Sequence, residues 1–410
     1  MSVRSRAKHR IRRKKLGRPF TRLWVGFAAA SSGDGMTTGA VPLLAVVVDP
    51  HPLAVSAVVA SDSLPWLLLA LPAGAFADRF PRGPLMAVTN VLRAAAIAAG
   101  AFLILNDRMT LALLIIVVLI NAGGRAIYYS SLQAVVPDLV PSDALEYSNG
   151  VLVATEEATE NLAGPIVGTW LFAMNKAIPF FADAIALAAS CIPLVGFRSK
   201  APTSEDSPPS MWEGVRFLWQ DRRLRILILL VACLSGLQGM ESGVLVLLAT
   251  TEWGVREGAY GLFLAVGAAG SLLGSLSANR LVRRFASAPT LICVAIVSGL
   301  GYLIMAAAQG WQLAGPAFAL VCFAVGIGAV VANALRQRVT PAEVMGRVGA
   351  ASRGIVWGAA PIGALVAGVL AGLSGLRLPL VVAGILQCVV AVALARPLLH
   401  SLRDASRQST

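Results

Sequence analysis

The chain has 410 residues, of which 57% are hydrophobic and only 13% are charged. A soluble domain carries about 45–50% apolar and about 25% charged residues. The composition therefore excludes an ordinary soluble protein and indicates a membrane protein. The net charge of +13 would suggest nucleic acid in a soluble chain, but here its distribution along the chain favours membrane topology.

The first predicted element is a basic tail, residues 1–22, that contains ten lysines and arginines. A secretory signal peptide would need a short apolar core and a small-residue cleavage site. The apolar run that follows, 20–48, is too long, and Gly33-Asp34-Gly35 interrupts it. We therefore predict a retained first transmembrane helix behind a cytoplasmic tail.

Apolar runs long enough to span a membrane continue in two groups of six, since a spanning helix needs about 20 apolar residues. The runs are 20–48, 53–76, 85–105, 109–131, 148–173, 177–197, 226–250, 258–281, 289–308, 313–335, 349–373 and 378–395. We predict an all-α membrane protein with twelve transmembrane helices. Its parts are an N-tail (1–22), a six-helix bundle (23–197), a cytoplasmic linker (198–225), a second six-helix bundle (226–395) and a C-tail (396–410).

The lysines and arginines predict the orientation. Of the 34 in the chain, 27 fall in the two tails, the linker and the loops on the same side, and only four fall in the opposite loops. Positive residues accumulate on the cytoplasmic side of membrane proteins. Both termini are therefore predicted to be cytoplasmic, and the basic charge needs no nucleic-acid partner.

The two halves contain similar segments at nearly equal offsets, which indicates an internal duplication. Three pairs match: Gly35-Met-Thr-Thr-Gly39 with Gly239-Met-Glu-Ser-Gly243, Gln133 and Pro137 with Gln337 and Pro341, and Ala77-Asp78-Arg79 with Ala278-Asn279-Arg280.

The loop Gly74-Ala-Phe-Ala-Asp78-Arg79-Phe-Pro-Arg82-Gly83 resembles the loop 2–3 signature of the major facilitator superfamily, G-x-L-x-D-R-x-G-R-K. Phe76, Pro81 and Gly83 depart from it. Other segments resemble the enterobactin-exporter and macrolide-efflux branch: Ser32-Gly33-Asp34, Leu64-Pro-Trp66, Pro137-Asp-Leu-Val-Pro141, Glu213-Gly-Val-Arg216-Phe and Gly346-Arg347-Val348.

The resemblance implies alternating access, in which two bundles rock about a central site. It implies a cytoplasmic gate at Gly74, Asp78, Arg79 and Arg82, where the aspartate binds a helix N-terminus and basic residues of the opposite bundle. A carboxylate is favoured at such a position. The arginines also fit a role in topology alone, and Asn279 stands where Asp78 would repeat.

Seven acids lie within the predicted spans but only three bases, Arg93, Arg125 and Arg353. The acids are Asp34, Asp62, Glu156, Glu157, Glu160, Asp183 and Glu241. Each such residue costs roughly 2.5–3.5 kcal/mol on insertion scales and faces a cavity or a partner. Three arginines cannot neutralise seven carboxylates, so some acids must be protonated or reach water.

Glu156 and Glu160 are four residues apart and share a helix face, where two carboxylates resist joint ionisation, as a proton carrier requires. By the resemblance, Asp34, Arg125 and Glu241 point into the central cavity. Asp34 could instead bind backbone. Asp183 is expected to be structural, and Glu157 is expected to pair with Arg93 or Arg125.

Asp62 and Trp66 share one face of helix 2, and Trp357 lies in helix 11. The two indoles either stack on a flat ligand or simply pack. The five cysteines form no CxxC pair and lie inside apolar spans, so we predict no metal site, no disulfide and no cofactor.

The embedded acids predict proton coupling, and the branch resemblance implies export of a bulky small molecule of the drug, macrolide or siderophore type, with a role in antibiotic resistance. A nutrient-uptake carrier is an alternative, because the sequence hardly separates direction. A membrane enzyme or lipid-handling protein is less favoured, since HExxH, GxSxG and GxxxxGK[ST] do not occur. We expect a multi-pass protein of a bacterial inner membrane that works as a monomer, with protons and a small molecule as partners.

Overall fold

The computed structural model describes residues 16–69, 80–194, 211–341 and 344–407. In these ranges the chain forms helices and short turns and no strand. Eight helices of the described ranges are long and apolar enough to cross a membrane, and two shorter apolar helices, Pro52–Leu68 and Ile178–Leu194, accompany them. The chain is therefore a multi-pass α-helical membrane protein.

We number the main helices α1 to α12. They are α1 Arg18–Val48, α2 Pro52–Leu69, α3 Arg82–Leu105, α4 Leu111–Leu139, α5 (Leu145–Glu156, the π-helical Glu157–Ala163 and Gly164–Met174), α6 Ile178–Cys191, α7 (Arg222–Leu247 and the π-helical Leu248–Glu252), α8 Glu257–Phe285, α9 Ser287–Ala307, α10 Trp311–Val339, α11 Met345–Ser374 and α12 Leu378–Arg407. A short linker helix, Met211–Gln220, precedes α7.

Several helices run past the predicted apolar runs. α4 continues to Leu139, α8 to Phe285 and α10 to Val339. The hydrophobic pattern detects only the part of a helix that lies in lipid, whereas the backbone stays helical until a breaking residue or turn stops it.

Because successive helices are antiparallel, the turns fall on two sides. We call the side that carries the linker helix the linker side and the other the far side. On the far side, the Trp311 amide donates to the Trp253 carbonyl at 3.1 Å. Arg377 Nε lies 2.5 Å from Glu252 Oε2 in the same region.

The two halves of the chain meet along α2 and α11 and, on the far side, where the end of α5 meets the start of α8. There the Gly261 amide donates to Thr169 Oγ1 at 3.1 Å. Ser56 of α2 donates to the Gly243 carbonyl of α7 at 2.9 Å. Small residues permit this close approach of backbones, and the contacts close the far side between the halves.

Candidate functional site

A cavity of about 410 Å³ lies between the halves, and we call it the aromatic cavity. It is bounded by α2, α4 and α5 from the first half and by α7 and α11 from the second. Its lining residues are Asp62, Ser63, Trp66, Arg125, Tyr129, Gln133, Glu156, Glu160, Ser235, Trp357 and Ala360. Six of the eight residues predicted for coupling or binding are in this set.

Three aromatic side chains form one wall of the cavity. The rings of Trp66 and Trp357 are 5.0 Å apart with an interplanar angle of 77°, and Trp66 lies 6.0 Å from Tyr129. These are edge-to-face contacts, which aromatic pairs prefer. Because Trp66 belongs to α2 and Trp357 to α11, the indole pair spans the boundary between the halves.

Arg125 binds two carboxylates from different helices. Its Nη2 donates to both oxygens of Asp62 at 3.3 and 3.1 Å, and its Nη1 donates to Glu160 Oε1 at 3.1 Å. Tyr129 donates to the other oxygen of Glu160 at 3.0 Å. Glu156 lines the same cavity. When all three carboxylates are ionised, they outnumber the one arginine, and the cavity carries net negative charge.

Two lining residues, Tyr129 and Gln133, were not predicted to lie in the cavity, although Gln133 stood out in the internal repeat and a further signal was present. Arg125, Tyr129 and Gln133 follow each other at intervals of four, so they share one face of α4. All three line the aromatic cavity. An embedded arginine followed by polar side chains at helical spacing marks the cavity-facing stripe of a helix.

A second cavity, of about 310 Å³, lies on the far side of the Arg125 cluster, and we call it the far cavity. It shares Asp62, Ser63 and Arg125 with the aromatic cavity. Its other lining residues are Thr37, Thr38, Val41, Pro42, Val58, Val59, Val118, Asn121, Ser242, Leu245, Tyr260 and Leu264. The ion pair between Arg125 and Asp62 therefore stands between the two cavities.

Asp34 does not face these cavities. It forms a buried ion pair with Arg93 of α3, with side-chain exposures of 2% and 0%. Arg93 also donates to Asn121 at 2.9 Å and to Asn90 at 3.1 Å. Gly124 provides the space, since an added Cβ there would lie 2.6 Å from Arg93 Cγ. Glu157 was expected to pair with Arg93 or Arg125, but Arg93 pairs with Asp34 and Arg125 with Asp62 and Glu160.

Glu241 was expected to point into the shared cavity, and this placement is wrong. Its side chain is 3% exposed and lies within the second half, where it interacts electrostatically with Tyr260, Tyr302 and Cys322. Its Oε1 has no hydrogen-bond partner among the described residues. The position of Glu241 on the seventh helix did not by itself determine the direction in which its side chain points.

Three residues of the predicted gate, Gly74, Asp78 and Arg79, lie outside the described residues. Arg82 lies at the start of α3 and binds within its own half: its Nη1 donates to Asp138 Oδ2 at 3.0 Å and to the Ala134 carbonyl at 2.8 Å. These contacts join α3 to the end of α4. The gate at Asp78 stays a prediction.

The architecture and the charged cavity between the halves are those of a membrane transport protein. The family model described as transmembrane secretion effector matches residues 16–410. The chain therefore belongs to this family of the major facilitator superfamily, which confirms the superfamily expected from the loop signature. It is a secondary transporter of that superfamily.

Curated relatives and solved structures agree with this assignment. The chain is 27% identical over 396 residues to the multidrug efflux pump Tap of Mycolicibacterium fortuitum, covering 91% of this chain and 95% of that one. It is 25% identical over 378 residues to the uncharacterized MFS-type transporter YfiS of Bacillus subtilis (strain 168), covering 88% of each. A bacterial homologue of the iron transporter ferroportin, solved in an inward-facing state, superposes with a TM-score of 0.73 at 21% identity, over 92% of this chain and 98% of that one.

Proposed function

We propose that the protein exports a bulky organic cation in exchange for protons, by rocking of two six-helix bundles. The bundles are 23–197 and 226–395, each with six transmembrane helices. The lining of the aromatic cavity carries the substrate proposal. A site with three carboxylates, one arginine and three aromatic rings attracts positive charge and offers ring faces, to which cations bind favourably.

Export is supported by the relationship to an efflux pump. The relative covers most of both chains, so the likeness is not confined to one helix or loop. In a cell this activity would lower the internal concentration of a toxic amphipathic compound and so give resistance to it. No enzymatic step is needed for such a cycle.

Proton coupling follows from the acids around Arg125. A proton on Glu160 or Asp62 weakens the attraction of that carboxylate for Arg125, and an arriving cation competes for the same oxygens. Proton and ligand would therefore replace each other at Asp62, Glu156 and Glu160, as exchange requires. Asp34 and Glu241 are further candidates because each is buried in its half.

The gate at Gly74, Asp78, Arg79 and Arg82 is proposed to close the linker side. The distribution of lysine and arginine supports a cytoplasmic linker side, with both termini in the cytoplasm of a bacterium and the chain in its inner membrane. Each chain holds a complete cavity, which supports a monomeric carrier.

Ethidium accumulation by inverted membrane vesicles tests this function, because ethidium is a planar aromatic cation. The vesicles receive an acid-inside pH gradient, and valinomycin with potassium collapses the electrical potential. We expect gradient-driven accumulation by the wild type and its loss in the double variant Glu156→Gln with Glu160→Gln. Glu146→Gln is the matched control, since Glu146 is exposed on the same helix α5.

The same assay separates the alternatives. Accumulation by inverted vesicles supports export, whereas accumulation only by right-side-out vesicles supports uptake. Equal accumulation with and without the gradient would remove proton coupling. Wild-type activity in the double variant would show that Glu156 and Glu160 take no part in proton coupling.

A further inference from the structure

Asp183 of α6 is a buried carboxyl group outside the two cavities. Its side chain has 0% exposure. Thr37 of α1 donates to its Oδ2 at 3.2 Å, and its Oδ1 has no hydrogen-bond partner among the described residues. An ionised carboxylate in such a place is costly unless a cation and several donors stabilise it.

The charge around Asp183 does not suffice for an ion. The helix that carries Asp183, α6, packs against α1, α3 and the end of α5, and the segment Gly164–Met174 of α5 carries no titratable side chain. α1 presents the acid Asp34, and α3 presents Arg93, which is already paired with Asp34. Arg125 of α4 also attracts Asp183 electrostatically, but it is already bound to Asp62 and Glu160. Two buried acids therefore share one adjacent guanidinium.

Thr37 can serve both protonation states of Asp183. When Asp183 is ionised, the Thr37 hydroxyl donates to its Oδ2. When Asp183 carries a proton, it donates to Thr37 Oγ1, and the hydroxyl turns to the Asp34 carbonyl, which lies 3.1 Å away. A hydroxyl has one donor and two acceptor lone pairs, so it satisfies either arrangement.

Thr37 also connects this buried group to the transport pathway, because it lines the far cavity. Asn121 lines the same cavity and accepts from Arg93 Nε at 2.9 Å. The group formed by Asp34, Arg93 and Asp183 is thus one side chain away from the pathway at two points.

We propose that Asp183 is a proton-binding site of the carrier, loaded and emptied through Thr37 from the far cavity; the proposal rests on the proposed exchange of protons for substrate. In loading, a hydronium ion in the cavity gives a proton to the Thr37 oxygen and becomes water. The Thr37 hydroxyl proton passes to Asp183, whose carboxylate becomes a carboxylic acid. Unloading reverses these steps.

The proton on Asp183 controls how α1, α3 and α6 are held together. With Asp183 neutral, Asp34 is the carboxylate that attracts Arg93. With Asp183 ionised, both carboxylates attract Arg93, and the relative positions of α1, α3 and α6 change. Asp183 lies against α1 so closely that an added Cβ on Gly33 would collide with its Oδ1.

Infrared difference spectroscopy of the purified full-length protein tests the site without a substrate. Spectra at acidic and alkaline pH reveal carboxylic acid C=O bands that appear on protonation. We expect one band of the wild type to be missing in Asp183→Asn and shifted to higher frequency in Thr37→Val, which removes its hydrogen-bond partner. Asp107→Asn is the control, since Asp107 is exposed on a turn with a φ of 52° that asparagine tolerates.

A complete set of bands in Asp183→Asn overturns the proposal. If that variant does not fold, Thr37→Val decides, and an unshifted spectrum overturns it. Ethidium accumulation distinguishes failure of the proposed transport function from failure of the proposed Asp183 site. Failure of the wild type to accumulate ethidium refutes the proposed function, whereas the infrared result stands independently. If Asp183→Asn and Thr37→Val both accumulate ethidium to the wild-type level and with the wild-type dependence on the pH gradient, the role of Asp183 is refuted.

Discussion

Replacing Gly261 by alanine is expected to open the far side of the carrier. Gly261 lies near the start of α8, directly against α5. An added Cβ would collide with the Pro165 carbonyl and lie 2.5 Å from Thr169 Oγ1. The same approach allows the Gly261 amide to donate to Thr169 Oγ1 at 3.1 Å. The substitution therefore pushes apart the two helices that join the halves on this side.

The size of the effect follows from what changes between conformations. Overpacking a close contact costs about 1–3 kcal/mol, and losing the hydrogen bond adds about 0.5–1.5 kcal/mol. Both costs apply only where α5 and α8 touch. The gain in helix propensity, up to about 1 kcal/mol, applies in every conformation and cancels. The two costs together, about 1.5–4.5 kcal/mol, shift the populations roughly 10- to 1,600-fold, since each 1.4 kcal/mol is about a tenfold change.

Distances between spin labels at Lys176 and Arg256 measure this shift. Both residues are exposed, one after α5 and the other before α8. Pulsed electron resonance in a cysteine-free background gives the distance distribution. We expect a longer-distance component to grow strongly in Gly261→Ala. Gly150→Ala is the control, because no atom lies within 4 Å of its added Cβ. Identical distributions for the two variants would refute the reasoning.

Three further outcomes are expected. Arg125→Lys keeps the charge but loses the fork-like hydrogen bonds, each worth about 1.5–3 kcal/mol with a charged partner, so the initial rate of ethidium accumulation should fall at least roughly tenfold; an unchanged rate would contradict the Arg125 cluster. Trp66→Ala removes a ring contact worth about 0.5–1.5 kcal/mol beyond its area, and the Kd for ethidium, measured by fluorescence polarisation, should rise by at least about twofold while Trp66→Phe stays near the wild type. A Kd for Trp66→Ala equal to that of the wild type would exclude stacking of ethidium on Trp66. Glu252→Gln breaks the pair with Arg377, whose side chains are 29% and 33% exposed. Such a pair is worth about 0–1 kcal/mol, so differential scanning fluorimetry should show a Tm within about 2 °C of the wild type; a larger drop would show that the pair stabilises the far-side turns.

Hydropathy predicted the positions of the main helices because the helix must satisfy its backbone and cover it with apolar side chains in lipid. The embedded acids also stood out, since charged residues are rare there. The same criteria predicted four residues that line the aromatic cavity: Asp62, Trp66, Arg125 and Trp357. These residues combine polarity or a large ring with central positions in their helices.

The partners of the embedded charges could not be predicted. A pairing depends on the rotation of each helix and on the space between helices, and neither appears in a hydrophobic pattern. Arg93 reaches Asp34 because Gly124 leaves room for its side chain. Glu241 turns into the second half instead of the cavity. The π-helical segment Glu157–Ala163 also changes the angular spacing along α5, so the faces of that helix cannot be counted with an ordinary helical period.

The embedded charge is distributed unequally between the halves, and this asymmetry constrains how the carrier works. Among the residues that the structure describes, the first half contains the two ionic clusters, one at Arg93 and one at Arg125. The second half contributes one buried acid, Glu241, and the cavity wall with Trp357. In the proposed exchange, protonation or ligand binding at the clusters therefore acts first on α1 to α6. Its effect must reach the second half through the contacts of α2 with α11 and of α5 with α8, which is why a small residue such as Gly261 at that boundary should control the motion without touching a charge.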